Sequence, residues 1–220
     1  MTHDIQTQQS WPKIYLAGPD VFLANCLDID KEKKVICKKY ALRGFVPSDN
    51  NVGRESGHNT AYDLAMNIAK ANFELMKEAD SCIANLTPFR GPSADVGTVG
   101  EIHYMYGLGK PVFGYSNDSR LYDQRVIDDY YKGEVVDKYD NMLKSKALRG
   151  KNDDMLVENY DAFDNLMIPY TMENSGGRFF KAQSTCEDYY GDLSVFEKIA
   201  RAAAEFFYGQ EILYEHLKAA

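Results

Sequence analysis

The sequence predicts an α/β fold, a mainly parallel sheet with helices on both faces. Three observations predict it. Short apolar runs alternate along the chain with longer segments of helical period. Gly or Pro punctuates most of the joins. The loops that follow the apolar runs are the polar ones, so polar groups converge on the carboxyl edge of the sheet, where ligands bind in folds of this kind.

Lys13–Ala17 (KIYLA) reads as a buried strand that ends in Gly18-Pro19. Leu27–Arg43 carries Ile29, Val35, Ile36 and Tyr40 among lysines and reads as a helix, with Gly44 as its stop. Phe45-Val46-Pro47 is a second, short strand, and Ser48–Thr60, rich in Asn, Asp, Gly and Ser, is a loop. Ala61–Ala79 is a helix with Leu64, Ile68, Ala71 and Leu75 on one stripe. Ser81–Leu86 is the third strand, Thr87–Ala94 a loop, Thr98–Leu108 a helix closed by Gly109, and Pro111–Tyr115 the fourth strand. The pattern weakens from Ser116 to Lys151, which is charged and tyrosine-rich and reads as a helical insertion or lid. Asp154–Pro169 reads as a helix ending at the proline, Gly176-Gly177 as a turn, and Leu193–Leu217 as a final helix. Residues 1–12 are expected to be a flexible tail on a single domain spanning 13–220.

Composition narrows the function. The 220 residues carry a formal charge of -8, with 45% hydrophobic and 26% charged residues. An acidic surface repels phosphate polymers, which argues against nucleic acid and anionic membranes as partners. The four cysteines and four histidines show no metal-ligand spacing, so no metal is expected. Cys37 and Cys82 sit in apolar stretches and read as buried thiols. The N-terminus lacks the features of a signal peptide, and no apolar run nears the ~18 residues of a membrane helix, so a cytoplasmic location is expected.

The chemistry concentrates in Thr87–Pro111. A loop with two prolines leads straight into a helix, and two carboxylates, Asp95 and Glu101, flank the helix start. A helix N-terminus offers free N–H groups and partial positive charge, which would keep Glu101 ionised, as a nucleophile requires. Gly97 and Gly100 remove side-chain bulk and would let a substrate approach. The same features also fit structural roles, since acids stabilise helix N-termini and glycines are common in loops. Two glycines in a helix cost about 1 kcal/mol each relative to alanine, which favours a functional reason for them.

Four motifs in order carry a resemblance. They are K-I-Y-L-A-G-P (Lys13–Pro19), F-E-L-M-K-E-A-D-S-C-I-A-N-L (Phe73–Leu86), D-V-G-T-V-G-E-I (Asp95–Ile102) followed by Gly107 and G-K-P-V (Gly109–Val112), and N-L-M-I (Asn165–Ile168). Together they resemble the nucleoside 2-deoxyribosyltransferases. The resemblance implies a Rossmann-like (flavodoxin-like) five-stranded parallel sheet and exchange of the nucleobase of a 2-deoxynucleoside for a free base, without a cofactor. It implies Glu101 as nucleophile at C1′, Asp95 as the carboxylate that holds and protonates the base, and Tyr15 as the hydroxyl that orients Glu101. It further implies substrate contacts from Gly18, Pro19, Asp20, Phe22, Asp49, Asn51, Asn72 and Gly97. Asn165 and Met167 match residues supplied by a neighbouring subunit, hence a homo-oligomer, dimer or hexamer. The chain departs from the family at Asn72, where relatives usually carry Asp. An amide cannot act as an acid at neutral pH, so proton donation falls more heavily on Asp95.

The alternatives are a hydrolase of 2-deoxynucleoside 5′-monophosphates and a binding module without catalysis. Asp20 stands where a phosphate would sit and favours a neutral 5′-hydroxyl. Retention of Asp95 and Glu101 favours catalysis. A dinucleotide-binding reading fails because A-G-P-D follows the first strand and proline has no N–H to offer a pyrophosphate. Purine bases are the favoured class.

Overall fold

The computed structural model describes residues 10–50, 52, 60–186 and 188–219. Asn51 and residues 1–9 of the expected tail lie outside the described residues. Five strands form one parallel sheet in the order β2-β1-β3-β4-β7. They are β1 (Lys13–Ala17), β2 (Arg43–Phe45), β3 (Ser81–Asn85), β4 (Val112–Ser116) and β7 (Phe179–Lys181). The chain leaves β1 toward β2 and returns past it to β3. The crevice at the carboxyl ends of β1 and β3 is therefore the switch point where such sheets bind ligands.

Strand alternation assigns each side chain to a layer. Ile14, Leu16, Ile83, Phe113 and Tyr115 face a core closed by α1 (Cys26–Lys39), α6 (Ser194–Tyr208) and α7 (Gln210–Ala219). Tyr15, Ala17, Cys82, Ala84 and Val112 face the other layer, built from α2 (Ala61–Glu78), α3 (Val96–Gly107) and α5 (Met167–Asn174). Cys37 and Cys82 are buried free thiols. Gly177 permits a close approach to the sheet, because a Cβ there would lie 1.8 Å from the Val112 carbonyl oxygen.

Several expected elements fall differently. α1 stops at Tyr40, and Ala41, not Gly44, takes the left-handed backbone (φ 55) after it. Gly44 lies inside β2, where a Cβ would press on Leu16 and Cys37. The insertion is not mainly helical. It holds one turn, α4 (Tyr122–Arg125), a π turn over Val126–Tyr130, and an antiparallel hairpin of β5 (Val135–Asp140) and β6 (Ser145–Gly150). The Asp140 carboxylate accepts the Met142 and Leu143 amides at 2.8 Å each and closes that hairpin. Most of Asp154–Pro169 is irregular, and Pro169 sits in the first turn of α5, where a missing N–H costs nothing. The final helix breaks at Gly209 (φ 78) into α6 and α7.

Beneath the turn after β1 lies a buried ion pair. Lys33 of α1 donates to Asp20 Oδ2 at 2.7 Å, with both side chains about fully enclosed. Burial opposes the Lys33 charge, but the Asp20 carboxylate outweighs it and holds the ammonium above its ordinary range. The Lys33 ammonium also sits over the rings of Tyr115 and Phe196. Lys33→Met strands the Asp20 carboxylate and should lower unfolding free energy by about 3–5 kcal/mol. Urea denaturation checks this, and the double variant with Asp20→Asn should recover part of the loss.

Candidate active site

A cavity of about 600 Å³ opens at the switch point. Its walls come from the turn after β1 (Gly18, Val21, Phe22), from α1 (Cys26, Asp30), from the segment after β2 (Pro47, Ser48, Asn50), from α2 (Ile68, Asn72) and from the start of α3 (Asp95, Gly97, Thr98, Glu101). Gly18 admits no side chain, because a Cβ would lie 2.8 Å from that of Asn85 and 2.3 Å from Asp20 Oδ2. This lets the chain turn tightly over the ion pair and begin the cavity wall.

Asp95 caps α3. Its Oδ2 accepts the Thr98 amide at 2.9 Å and the Thr98 hydroxyl at 3.1 Å. Six residues on, Glu101 faces β1. Tyr15, fully buried in the middle of β1, donates its hydroxyl to Glu101 Oε1 at 2.6 Å. A buried phenol needs a partner, and Glu101 supplies it. The expectation that the helix N-terminus keeps Glu101 readily ionised is corrected here. Burial pushes its carboxyl up to about 7; the Tyr15 hydrogen bond pulls the other way, and the nearby Asp95 adds to the rise. The Tyr15 hydroxyl itself is held well above the ordinary phenol range by burial and by the Glu101 charge.

Of the residues expected from the sequence, Glu101, Asp95, Gly18, Phe22, Asn72 and Gly97 line this cavity, and Tyr15 reaches it through Glu101. Asn72 accepts the Asn50 amide at 2.9 Å. Pro19, Asp20, Asp49, Asn165 and Met167 do not line it. Asp20 is turned inward, with Oδ2 on Lys33 and Oδ1 on the Asn85 amide at 3.1 Å. Its charge is neutralised, so it no longer argues against a phosphate at the turn. Asp49 is likewise occupied, accepting the Val46 amide at 3.0 Å and pairing with Lys34. Asn165 donates to the Glu158 carboxylate at 3.0 Å, and Met167 is exposed.

Sequence reasoning did not single out Asp30, and it placed Ser48 and Asn50 at the ligand-binding edge of the sheet without giving them a role. Ser48 donates to Asp30 Oδ2 at 2.6 Å, and burial raises the Asp30 carboxyl above its ordinary value. A signal existed for Asp30. Ile29, Asp30, Lys33 and Cys37 form the buried stripe of α1, so two charged residues sit at core-facing positions of helical period. That pattern marks either an ion pair or a site.

Among the described residues no group of three metal-ligating side chains converges, and no helix is long and apolar enough to cross a membrane. Comparison with known proteins adds the family. Residues 14–167 match the nucleoside 2-deoxyribosyltransferase family model. An uncharacterized protein of Schizosaccharomyces pombe is 32% identical over 173 residues, covering 76% of this chain and 79% of that protein. The solved 2-desoxiribosyltransferase from Leishmania mexicana is 28% identical with a TM-score of 0.51, covering 71% of this chain and 85% of that one. The chain belongs to the nucleoside 2-deoxyribosyltransferase family.

Proposed function

We propose that this protein exchanges the nucleobase of 2-deoxynucleosides through a covalent deoxyribosyl–Glu101 intermediate, with purines preferred. One observation carries the reading. The Tyr15 hydroxyl holds Glu101 Oε1 at 2.6 Å on the wall of a cavity that also contains Asp95. That hydrogen bond leaves Oε2 for C1′.

The deoxyribose carries no 2-hydroxyl to oppose positive charge, so its transition state is oxocarbenium-like, as in retaining glycoside hydrolysis. Glu101 attacks C1′ as the C1′–N bond breaks. The bonding pair leaves with the base, and Asp95 passes to it a proton taken up from solvent, which neutralises it. A second base then attacks C1′ from the vacated face, Glu101 departs as carboxylate, and the incoming base returns its proton to Asp95. Two displacements give retention and ping-pong kinetics. The burial that raises the Glu101 carboxyl also strengthens its attraction to the cationic sugar, because screening is weak there.

Asn165 and Met167 then act in a neighbouring copy. Their place outside the cavity supports this, as does the exposure of the apolar side chains Leu166, Met167 and Tyr170 at and beside the start of α5. A second reading, hydrolysis of 2-deoxynucleoside 5′-monophosphates, is favoured by one feature. Lys31, Lys34 and Lys38 line a depression that shares Asp30 and Ser48 with the Glu101 cavity.

Chromatography of 2-deoxyinosine with adenine, and of thymidine with cytosine, tests the proposal beside a Glu101→Ala control. New deoxynucleoside that is lost in the control supports it, and the productive pair reports base class. Free base without exchange, or turnover of 5′-monophosphates alone, moves the assignment to the hydrolase.

Two further outcomes are expected. Glu101 must be ionised to attack, so kcat/KM should fall about tenfold per pH unit below a midpoint near 7. Tyr15→Phe removes the bond that favours ionisation and should move that limb to higher pH. Glu101→Gln should abolish exchange yet be more stable than the parent at pH 8. The raised carboxyl costs stability that grows as pH climbs from its ordinary 4.5 to about 7, so the gain should vanish near pH 4. Thermal melts across pH check this.

A further inference from the structure

The insertion between β4 and α5 reaches the active-site loop through one buried carboxylate. Arg125, the last residue of α4, is 1% exposed, and its partner Asp164 is fully enclosed. Arg125 Nη2 donates to Asp164 Oδ2 at 3.2 Å and to the Phe163 carbonyl. The same Oδ2 accepts the Ala94 amide at 3.0 Å. Oδ1 accepts the Ser93 hydroxyl at 2.5 Å and the Asn165 amide at 2.8 Å. Asp164 therefore ties together the insertion, the segment before α5, and the two residues that directly precede Asp95.

Stability alone does not explain this arrangement. A buried ion pair is often no more stabilising than apolar packing of the same volume. Here Arg125 Nε is also buried without a hydrogen-bond partner among the described residues. What the pair supplies is direction. Two bonds to one carboxylate fix the loop at residues 93 and 94, two more from Arg125 and Asn165 hold that carboxylate, and α3 begins two residues later with Asp95 as its cap. Tyr15 is anchored separately, in β1. A shift of the loop would move Asp95, and Glu101 along the same helix, relative to a Tyr15 that stays put.

We propose that Arg125 and Asp164 are positioning residues for the exchange reaction, through which the insertion holds the Ser93–Asp95 loop and keeps Asp95 and Glu101 in register with Tyr15. The proposal rests on the roles given above to Asp95 and Glu101. It assigns a task to the 116–151 segment, although none of its residues lines the cavity.

The test compares the full-length parent with Asp164→Asn, Ser93→Ala, Arg125→Ala and Arg125→Lys. Asp164→Asn removes the charge, and Ser93→Ala removes one bond and leaves the ion pair intact. Arg125→Lys keeps the positive charge that Arg125→Ala removes. The readouts are kcat and KM for base exchange per folded molecule, and amide hydrogen exchange over residues 93–101. A misplacement of about 1 Å can cost on the order of 100-fold in rate. On that scale Asp164→Asn should lower kcat about 10- to 100-fold with KM within about threefold, and Ser93→Ala about three- to tenfold. Both should speed amide exchange at 93–98, and Arg125→Lys should restore most of the kcat lost in Arg125→Ala. Folded variants with unchanged kcat and a lower melting temperature alone would overturn the proposal, as would an effect on KM only. If Asp164→Asn does not fold, Ser93→Ala decides by the same criteria. If the parent exchanges no base, the functional reading fails on its own. Amide exchange then still decides the coupling, and unchanged protection over 93–101 in Ser93→Ala overturns it.

Discussion

A chain of buried polar side chains crosses the carboxyl edge of the sheet, and the site is arranged around it. It starts at Lys33 on α1, which grips Asp20 below the first turn. Asp20 accepts the amide of Asn85 at the end of β3, and Asn85 accepts the Thr87 amide at 3.1 Å. The Thr87 hydroxyl oxygen accepts the Asn117 amide at 3.0 Å beyond β4, and the Asn117 side chain donates to the Tyr189 and Asp192 carbonyls. Parallel strands end in loops whose backbone groups have no sheet partner. Burying those loops is tolerable only where side chains satisfy them. The chain of contacts does this after β3 and β4 and links both ends to the turn after β1, and so gives a polar edge to a sheet that is otherwise apolar on both faces.

Glu101 is held in an environment it would not choose. Its carboxyl is forced up by burial, and the Tyr15 hydroxyl only partly relieves it. Such a group destabilises the fold at neutral pH and is kept in place by the surrounding packing. Ile102 and Met105 bury the rest of α3 against the sheet, and Asp95 fixes its first turn. In the proposed mechanism this strained carboxylate is the one that meets the cationic sugar, which is where a stability cost is useful.

The core of the α/β pattern was legible in the sequence because β1, β3, β4 and three helices have clear period, whereas the second strand, expected over Phe45–Pro47, falls on Arg43–Phe45 because Gly44 is a strand residue and not a helix stop. The hairpin of the insertion was not, because charges interrupt its alternation and its turn is closed by a side chain, Asp140, that looks like any other surface acid. The three-residue β7 was too short to carry a period. It forms because Gly177 lets the chain close on β4. Pro169 was misread because proline is tolerated in a first helical turn as readily as it ends a helix. At the site, Glu101, Asp95 and Tyr15 stood in recognisable motifs. Ser48 and Asn50 did not, since they sit in a loop whose composition says only that it is a loop.

By itself the sequence determined the alternation of strands and helices from Lys13 to Tyr115, the helix start that carries two acids, and the family motifs in their order. Those depend on local period and spacing, which a chain carries along its length. Tertiary structure alone decided which polar groups meet. Asp20 looked like a substrate contact and became the partner of a lysine thirteen residues away. Asp30 looked like one charge among many on a basic helix and became part of the cavity wall. Asp164, unremarked in the sequence, ties the insertion to the loop that carries Asp95. Pairing of charges in a low-dielectric interior depends on distance and burial across separate elements, and neither can be read from residue type or order alone.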